Sequence, residues 1–142
     1  MLSSLAFWCF GAAALASILI GLLYALMPRI MPYHEKALET DWNAIDPKYQ
    51  LLLRALLNGG GWFGLSCGLF MMVLLLIPFR AGEVWAGYAI GVIGLVGMGP
   101  LAWIVYKVKT QTQGNPPLFV MVIVNALMIG GLLSLILSQF AS

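Results

Sequence analysis

Charge is scarce in this chain. Seven lysines and arginines and five aspartates and glutamates account for 8% of its 142 residues, whereas about 25% of the residues in an ordinary soluble domain are charged. No basic face is present along which phosphates could be bound, which argues against nucleic acid as a partner. The sequence also lacks a glycine-rich phosphate loop and a nucleophile elbow, so we expect no cofactor.

Residues that bind metals are equally few. The chain has one histidine and two cysteines, Cys9 and Cys67, and the cysteines lie inside apolar runs without a CxxC motif. Free cysteine behaves as a small apolar residue, so we interpret both as packing residues. The sequence therefore predicts no metal site.

Four long apolar runs take the place of charge, and hydrophobic residues make up 62% of the chain. At about 1.5 Å per residue, the runs would form helices roughly 34 to 40 Å long, which cross a hydrocarbon core of about 30 Å with some tilt. We predict an all-α, polytopic membrane protein: a four-transmembrane-helix bundle in the lipid bilayer, with one membrane domain over residues 1–142. The predicted helices are residues 2–27, 51–77, 84–106 and 118–140.

Proline marks the ends of the predicted helices. Pro28 follows the first run and opens a polar connection over residues 28–50, because proline disfavours helical dihedral angles in the residue before it. Asp46 and Pro47 are the residue types preferred at the N-cap and first position of a helix, so the second helix should begin there. Three apolar residues in the connection favour either a short amphipathic helix at the membrane surface or a plain loop: Leu38, Trp42 and Ile45.

Basic residues are distributed unequally between the two ends of the predicted bundle. Six of the seven lie in or beside the first and third connections, and only Arg80 lies in the second. Because lysine and arginine are enriched in cytoplasmic loops, we predict that the long first connection is cytoplasmic and that both termini lie outside.

Small residues recur along the predicted helices, mostly at intervals of four. Between helices in lipid, close backbone approach through small residues supplies much of the attraction. These residues indicate packing within the bundle, or alternatively contact with a second copy or another membrane protein. The predicted packing seam consists of Ser17 and Gly21 in the first helix, Gly60, Gly64 and Gly68 in the second, and Gly130 and Ser134 in the fourth.

A few polar side chains fall inside the predicted helices. Asn58 lies about 16 Å along the second helix and Asn125 about 12 Å along the fourth, counted from the same membrane face. The two amides could hydrogen-bond across these helices, or they could line a small polar pocket with Tyr24 and Arg54. Arg54 could instead extend to the lipid headgroups.

His34, Glu35 and Glu39 form the other polar cluster, in the first connection. On a helix the two glutamates would share a face with the histidine beside them, an arrangement that suits acid–base chemistry. One histidine without a second nitrogen ligand is poor for a metal, and charged residues at such a place are usually only solvated.

Three stretches carry a resemblance to known proteins. They are Met31-Pro32-Tyr33-His34, the link from Ile77 to Ala86, and the pair Pro116-Pro117. Together they resemble small uncharacterised bacterial four-helix membrane proteins, loosely DoxX-like in layout. The resemblance implies a bacterial inner (plasma) membrane and a four-helix bundle, and it implies no activity.

Three functions are compatible with these patterns. The first is a noncatalytic protein that acts through helix contacts, as a complex subunit, an assembly factor or a homo-oligomer. The second is a binder or carrier of a small amphiphile such as a lipid or a quinone. The third is a membrane enzyme that uses His34 with Glu35 or Glu39.

Overall fold

The computed structural model describes residues 2–140, and that range contains helices and short connections but no strand. Four helices have the length and apolar character needed to cross a membrane. The predicted all-α bundle of four transmembrane helices is therefore confirmed. The long helices are α1 (Leu2–Leu26), α3 (Pro47–Leu74), α4 (Val84–Gln111) and α5 (Leu118–Phe140), and α2 (Pro32–Leu38) is a short helix in the first connection.

The start of α3 follows the sequence signal. Asp46 is the N-cap, its carboxylate accepts a hydrogen bond from the backbone N–H of Lys48 at 2.8 Å, and Pro47 occupies the first helical turn. The cap satisfies one of the backbone donors that a helix leaves free at its N-terminus. As a result, α3 begins one turn before the apolar run. At its far end, α4 continues beyond the predicted residue 106 to Gln111.

The first connection differs from the expected amphipathic helix through Leu38, Trp42 and Ile45. Helix α2 ends at Leu38, because Glu39 adopts a left-handed conformation with φ of 52°. Trp42–Ala44 then form a separate 3₁₀ turn. Leu38 and Trp42 thus belong to two separate elements, and Ile45 is the C-cap of the second. The connection is neither the single amphipathic helix nor the plain loop that the sequence left as alternatives.

Helix α1 lies at the centre of the packing, between α3 and α5, while α4 packs chiefly on α5. Near the tight turn that joins them, α3 and α4 face each other through buried residues such as Leu74 and Ile90. Toward their other ends the burial is lost: Leu56 is 64% exposed and Ile104 is 55% exposed. We call the end of the bundle that carries the first and third connections the loop end.

The contact between α1 and α3 brings backbone against backbone. A β-carbon added to Gly61 would lie 2.8 Å from the Cα of Ala25, and one added to Gly21 would lie 2.7 Å from the Cα of Leu65. Gly68 is as tightly placed, with the backbone nitrogen of Ile18 at 2.8 Å from such a carbon. Small residues therefore let these two helices approach closely, as the predicted seam required.

The contact between α4 and α5 is built differently, from side chains seated on glycines. A β-carbon on Gly94 would lie 2.5 Å from the Sδ of Met128, and one on Gly91 would lie 2.5 Å from the Cγ of Leu132. Gly131 of α5 receives the ring of Phe10 from α1 in the same way. These glycines form holes for large apolar side chains.

The structure corrects part of the predicted seam. Ser17, Gly21, Gly68 and Ser134 are buried as expected, and Gly64 has an ordinary contact, with the Cα of Gly21 at 3.6 Å from an added β-carbon. In contrast, Gly60 and Gly130 do not pack against another helix, because nothing lies within 4 Å of a β-carbon added to either of them. The residues in close contact are the next ones along the chain, Gly61 and Gly131.

Candidate functional site at the loop end

Three aromatic rings meet where α1 ends and α2 begins. The hydroxyl groups of Tyr24 in α1 and Tyr33 in α2 share a hydrogen bond. The ring centroid of His34 lies 4.3 Å from that of Tyr33 and 6.3 Å from that of Tyr24, which it meets edge-on. We call these three residues the aromatic cluster. It fixes α2 against the end of α1.

The imidazole of His34 is held in one orientation. Its Nδ1 accepts a hydrogen bond from the backbone N–H of Met31 at 3.2 Å, so the neutral ring carries its proton on Nε2. Burial lowers the pKa of His34 below its ordinary value, because removal from water disfavours the charged form. At neutral pH the ring is therefore uncharged, and Nε2–H is the donor that it can offer.

The connection between α4 and α5 packs against α2. A β-carbon on the buried Gly114 would lie 2.7 Å from the carbonyl oxygen of Tyr33 and 2.9 Å from the Cβ of Ala37. The amide of Gly114 donates to the hydroxyl of Thr112 at 3.1 Å. Because only glycine permits this approach, the first and third connections pack against each other in one layer at the loop end, which we call the loop layer.

Gln50 joins the Trp42–Ala44 turn to α3. Its side-chain Nε2 donates to the carbonyl oxygens of Trp42 at 2.7 Å and Ile45 at 3.0 Å. Together with the Asp46 cap, these hydrogen bonds use two polar side chains at the start of α3 for local structure. It also holds Trp42 over the start of that helix.

Two openings share Trp42 as a wall. The larger, of about 490 Å³, mixes charges of both signs, and the smaller, of about 170 Å³, has a single charged residue, Arg54. We call the smaller one the Arg54 opening. The larger opening is lined by Arg29, Glu35, Asp41, Trp42, Asn43 and Ala44. The Arg54 opening is lined by Pro28, Trp42, Pro47, Gln50, Leu51 and Arg54.

The four residues of the predicted polar pocket lie in separate settings. Tyr24 belongs to the aromatic cluster, and Arg54 lines the opening named after it. The amide of Asn125 donates to the carbonyl oxygens of Met98 in α4 at 3.2 Å and Met121 in its own helix at 2.8 Å. The alternative expectation, a hydrogen bond between Asn58 and Asn125, was wrong because α1 lies between α3 and α5.

Asn58 has no such partner. Its side-chain Oδ1 is buried and accepts no hydrogen bond. An unsatisfied buried acceptor costs about 1–3 kcal/mol. The two intramembrane amides, alike in the sequence, therefore play opposite roles in stability.

The cluster of His34, Glu35 and Glu39 is also divided. His34 faces the tyrosines, Glu35 lines the larger opening, and Glu39 is exposed at the end of α2. Within residues 2–140 there is no group of three or more histidine, cysteine, aspartate or glutamate side chains that could hold a metal ion. The Nδ1 of His34 accepts a hydrogen bond from the Met31 amide, and within residues 2–140 neither Glu35 nor Glu39 is paired with the imidazole.

The sequence did not predict the roles of four residues at the loop end. They are Tyr33 in the aromatic cluster, Trp42 as a wall of both openings, Gln50 as the hydrogen-bonded link between the Trp42–Ala44 turn and α3, and Gly114 as a contact of α2. Tyr33 had a usable signal, since it stands beside the chain's one histidine and follows Pro32, which is suited to the first turn of a helix. Gly114 had none, because its importance comes from a contact with a distant segment.

Comparison with known proteins gives no match among family models, curated proteins or solved structures. Inferences about function therefore depend on the geometry described above.

Proposed function

We propose that this chain is a noncatalytic membrane protein that acts through helix contacts, by associating with a second copy of itself. The observation that carries the proposal is a set of glycines that the monomer leaves uncovered. Most glycines in the transmembrane helices meet a neighbouring helix closely, but a β-carbon on Gly59, Gly60, Gly97 or Gly130 would meet nothing within 4 Å. A glycine in a helix interior costs about 1 kcal/mol relative to alanine, so contact with another molecule would explain its use there.

The open pair in α3 forms a notch with large side chains on both sides. Gly59 and Gly60 are exposed, and Leu56 and Phe63, one turn before and one turn after, are 64% and 65% exposed. Residues at these spacings share one face of a helix. A face that carries both a notch and a protruding ring is self-complementary, as the interface of a twofold dimer requires. Phe63 of one copy would fill the notch of the other.

The test is native mass spectrometry of the protein in mild detergent. Wild type should be a dimer, and Gly60→Leu should be a folded monomer with a single symmetric elution peak, because a β-carbon at this position meets nothing inside the monomer. The matched control is Gly130→Leu, which places leucine on an open glycine of α5 and should remain dimeric. A monomeric wild type, or a Gly60→Leu variant that stays dimeric, would contradict self-association through this face.

We also propose that the protein lies in a bacterial inner membrane with the loop layer in the cytoplasm. The unequal distribution of basic residues supports this orientation, and the resemblance to small bacterial membrane proteins supports this membrane. In a background without Cys9 and Cys67, cysteines replacing the exposed Thr40 and Asn115 should react with an impermeant maleimide only after the membrane is opened. Ala81→Cys, at the other end, should react in intact cells. The reverse pattern would invert the orientation.

A further inference from the structure

We propose that the Arg54 opening binds a phosphodiester group, and that this group belongs to a membrane lipid whose acyl chain lies along α3. This inference goes beyond self-association, because it concerns the loop end of α3 and a small molecule. It starts from the one charged side chain that lines the opening.

Arg54 has no protein partner for its charge. Within residues 2–140, no lysine or arginine forms an ion pair with a carboxylate. The carboxylate closest in sequence, Asp46, caps α3 by accepting from the Lys48 amide. Arg54 is exposed and lies about 10 Å along the helix from Pro47, in the opening that Trp42 also lines at the loop end of the membrane-spanning segment. An anion from outside the chain would neutralise its charge.

The guanidinium group determines which anion is suitable. Its planar set of N–H donors matches two oxygens of a phosphate or a carboxylate at once. The opening of about 170 Å³ is much larger than the roughly 10–15 Å³ needed to hold one water. It therefore has room for a phosphodiester and for part of the group attached to it.

The walls of the opening favour a lipid over a free ion. The lining combines polar and apolar surface in nearly equal shares, as the junction between a lipid headgroup and its acyl chains does. Trp42 forms one wall, and tryptophan is typical of the headgroup level of a bilayer. Deeper along α3, Leu56 is 64% exposed and continues the apolar surface into the membrane. A phosphate at Arg54 would thus leave its acyl chain on α3 beside Leu56, at the edge of the face proposed for the dimer.

The experiment measures lipid binding by native mass spectrometry, with dioleoyl phosphatidylglycerol as the probe. Dioleoylglycerol, which has the same chains and no phosphate, should bind at least about tenfold more weakly, as expected for loss of a charge-assisted hydrogen bond. Inorganic phosphate in excess should leave the lipid bound. If dioleoylglycerol binds equally well, phosphate recognition is wrong, and if inorganic phosphate displaces the lipid, the site is one for the free ion.

Variants of the arginine test the location. Arg54→Gln should weaken phosphatidylglycerol binding about tenfold or more, and Arg54→Lys should weaken it less, because lysine keeps the charge and loses the planar set of donors. Arg80→Gln, at the opposite membrane face, is the control and should bind like wild type. An unchanged elution profile and melting temperature excludes unfolding as the cause. Equal binding by wild type and Arg54→Gln would overturn the proposal, whatever the oligomeric state in the same spectra.

Discussion

The contact between α1 and α3 and the contact between α4 and α5 both depend on glycine, but their glycines meet different atoms. On α3, an added β-carbon would meet the backbone of α1, and on α4 it would meet side chains of α5 such as Met128. A side chain can rotate or be replaced, whereas a backbone moves only with its helix. The first contact should therefore tolerate added volume poorly, and the second should adapt.

The largest effect should come from Gly61→Ala. The new methyl group would collide with the backbone of Ala25, which would force the helices apart and cost about 3 kcal/mol or more. Gly60→Ala, one residue earlier, meets nothing within its own chain and should leave the stability of the monomer unchanged or raise it by up to about 1 kcal/mol. Unfolding of the two purified variants in mixed micelles measures the difference.

Equal stability of these two variants would mean that the rotation of α3 about its axis differs from the one described. A further check is Ala25→Gly combined with Gly61→Ala. Because the collision involves backbone atoms that glycine retains, this second change should not restore stability.

An intermediate effect is expected for Gly94→Ala in the α4–α5 contact. The methyl group would meet the Sδ and Cε of Met128, a flexible side chain, so the cost should be about 1–2 kcal/mol. In a double-mutant cycle with Met128→Ala, the double variant should lose clearly less stability than the sum of the single changes, since the added methyl fills part of the vacated space. If the stability losses of Gly94→Ala and Met128→Ala are additive, the α4–α5 contact is as rigid as the contact between α1 and α3.

A smaller effect on stability should distinguish substitution of Asn58, in α3, from substitution of Asn125, in α5. Asn125→Leu removes the hydrogen bond to Met98 and should destabilise by about 0.6 kcal/mol, the average for such bonds in membranes, and by at most about 1.7 kcal/mol. Asn58→Leu removes an acceptor that has no partner and should be neutral or stabilising. Thermal unfolding of both variants measures this difference in stability. A clear loss of stability in Asn58→Leu would show that the Asn58 Oδ1 accepts a hydrogen bond in the membrane.

The smallest effect concerns pH and separates both contacts from the loop layer. The glycines of the two contacts pack against atoms that do not titrate. Near neutral pH, the change of stability with pH should therefore come from His34. Its pKa is lowered in the folded protein, so the unfolded chain binds more protons as the pH falls through the ordinary value of about 6.5. Stability should therefore be full above that value and decrease below it. His34→Phe should remove this dependence, and an unchanged slope would assign it to another group.

Much of the fold follows from the sequence, because length, apolar runs and the Asp46-Pro47 signal determine where the helices lie. The rotation of each helix about its own axis does not follow. Gly60 and Gly61 are adjacent and alike, and one residue turns the chain by about 100°. In a helix that is apolar on all sides, no polar face indicates which of the two points inward.

The site was less predictable for a related reason. The rise per residue gives the depth of Asn58 and Asn125 in the membrane, but not which helices are neighbours. Their hydrogen bond required α3 and α5 to touch, and α1 lies between them. Likewise, the partners of Tyr24 and Gly114 depend on how α2 lies across the end of the bundle.

The contact of Gly114 with α2 has a consequence for how the chain is made. The ribosome releases Tyr33 and Ala37 long before Gly114, and segments of a nascent chain begin to fold in the order of their synthesis. The aromatic cluster and the Asp46 cap use only residues of the first half, so they can form as soon as α3 has emerged. The loop layer closes only after α4 has crossed the bilayer. The sides of α1 and α4 that α5 covers are therefore accessible to lipid, or to an insertion factor, until the last helix is synthesised.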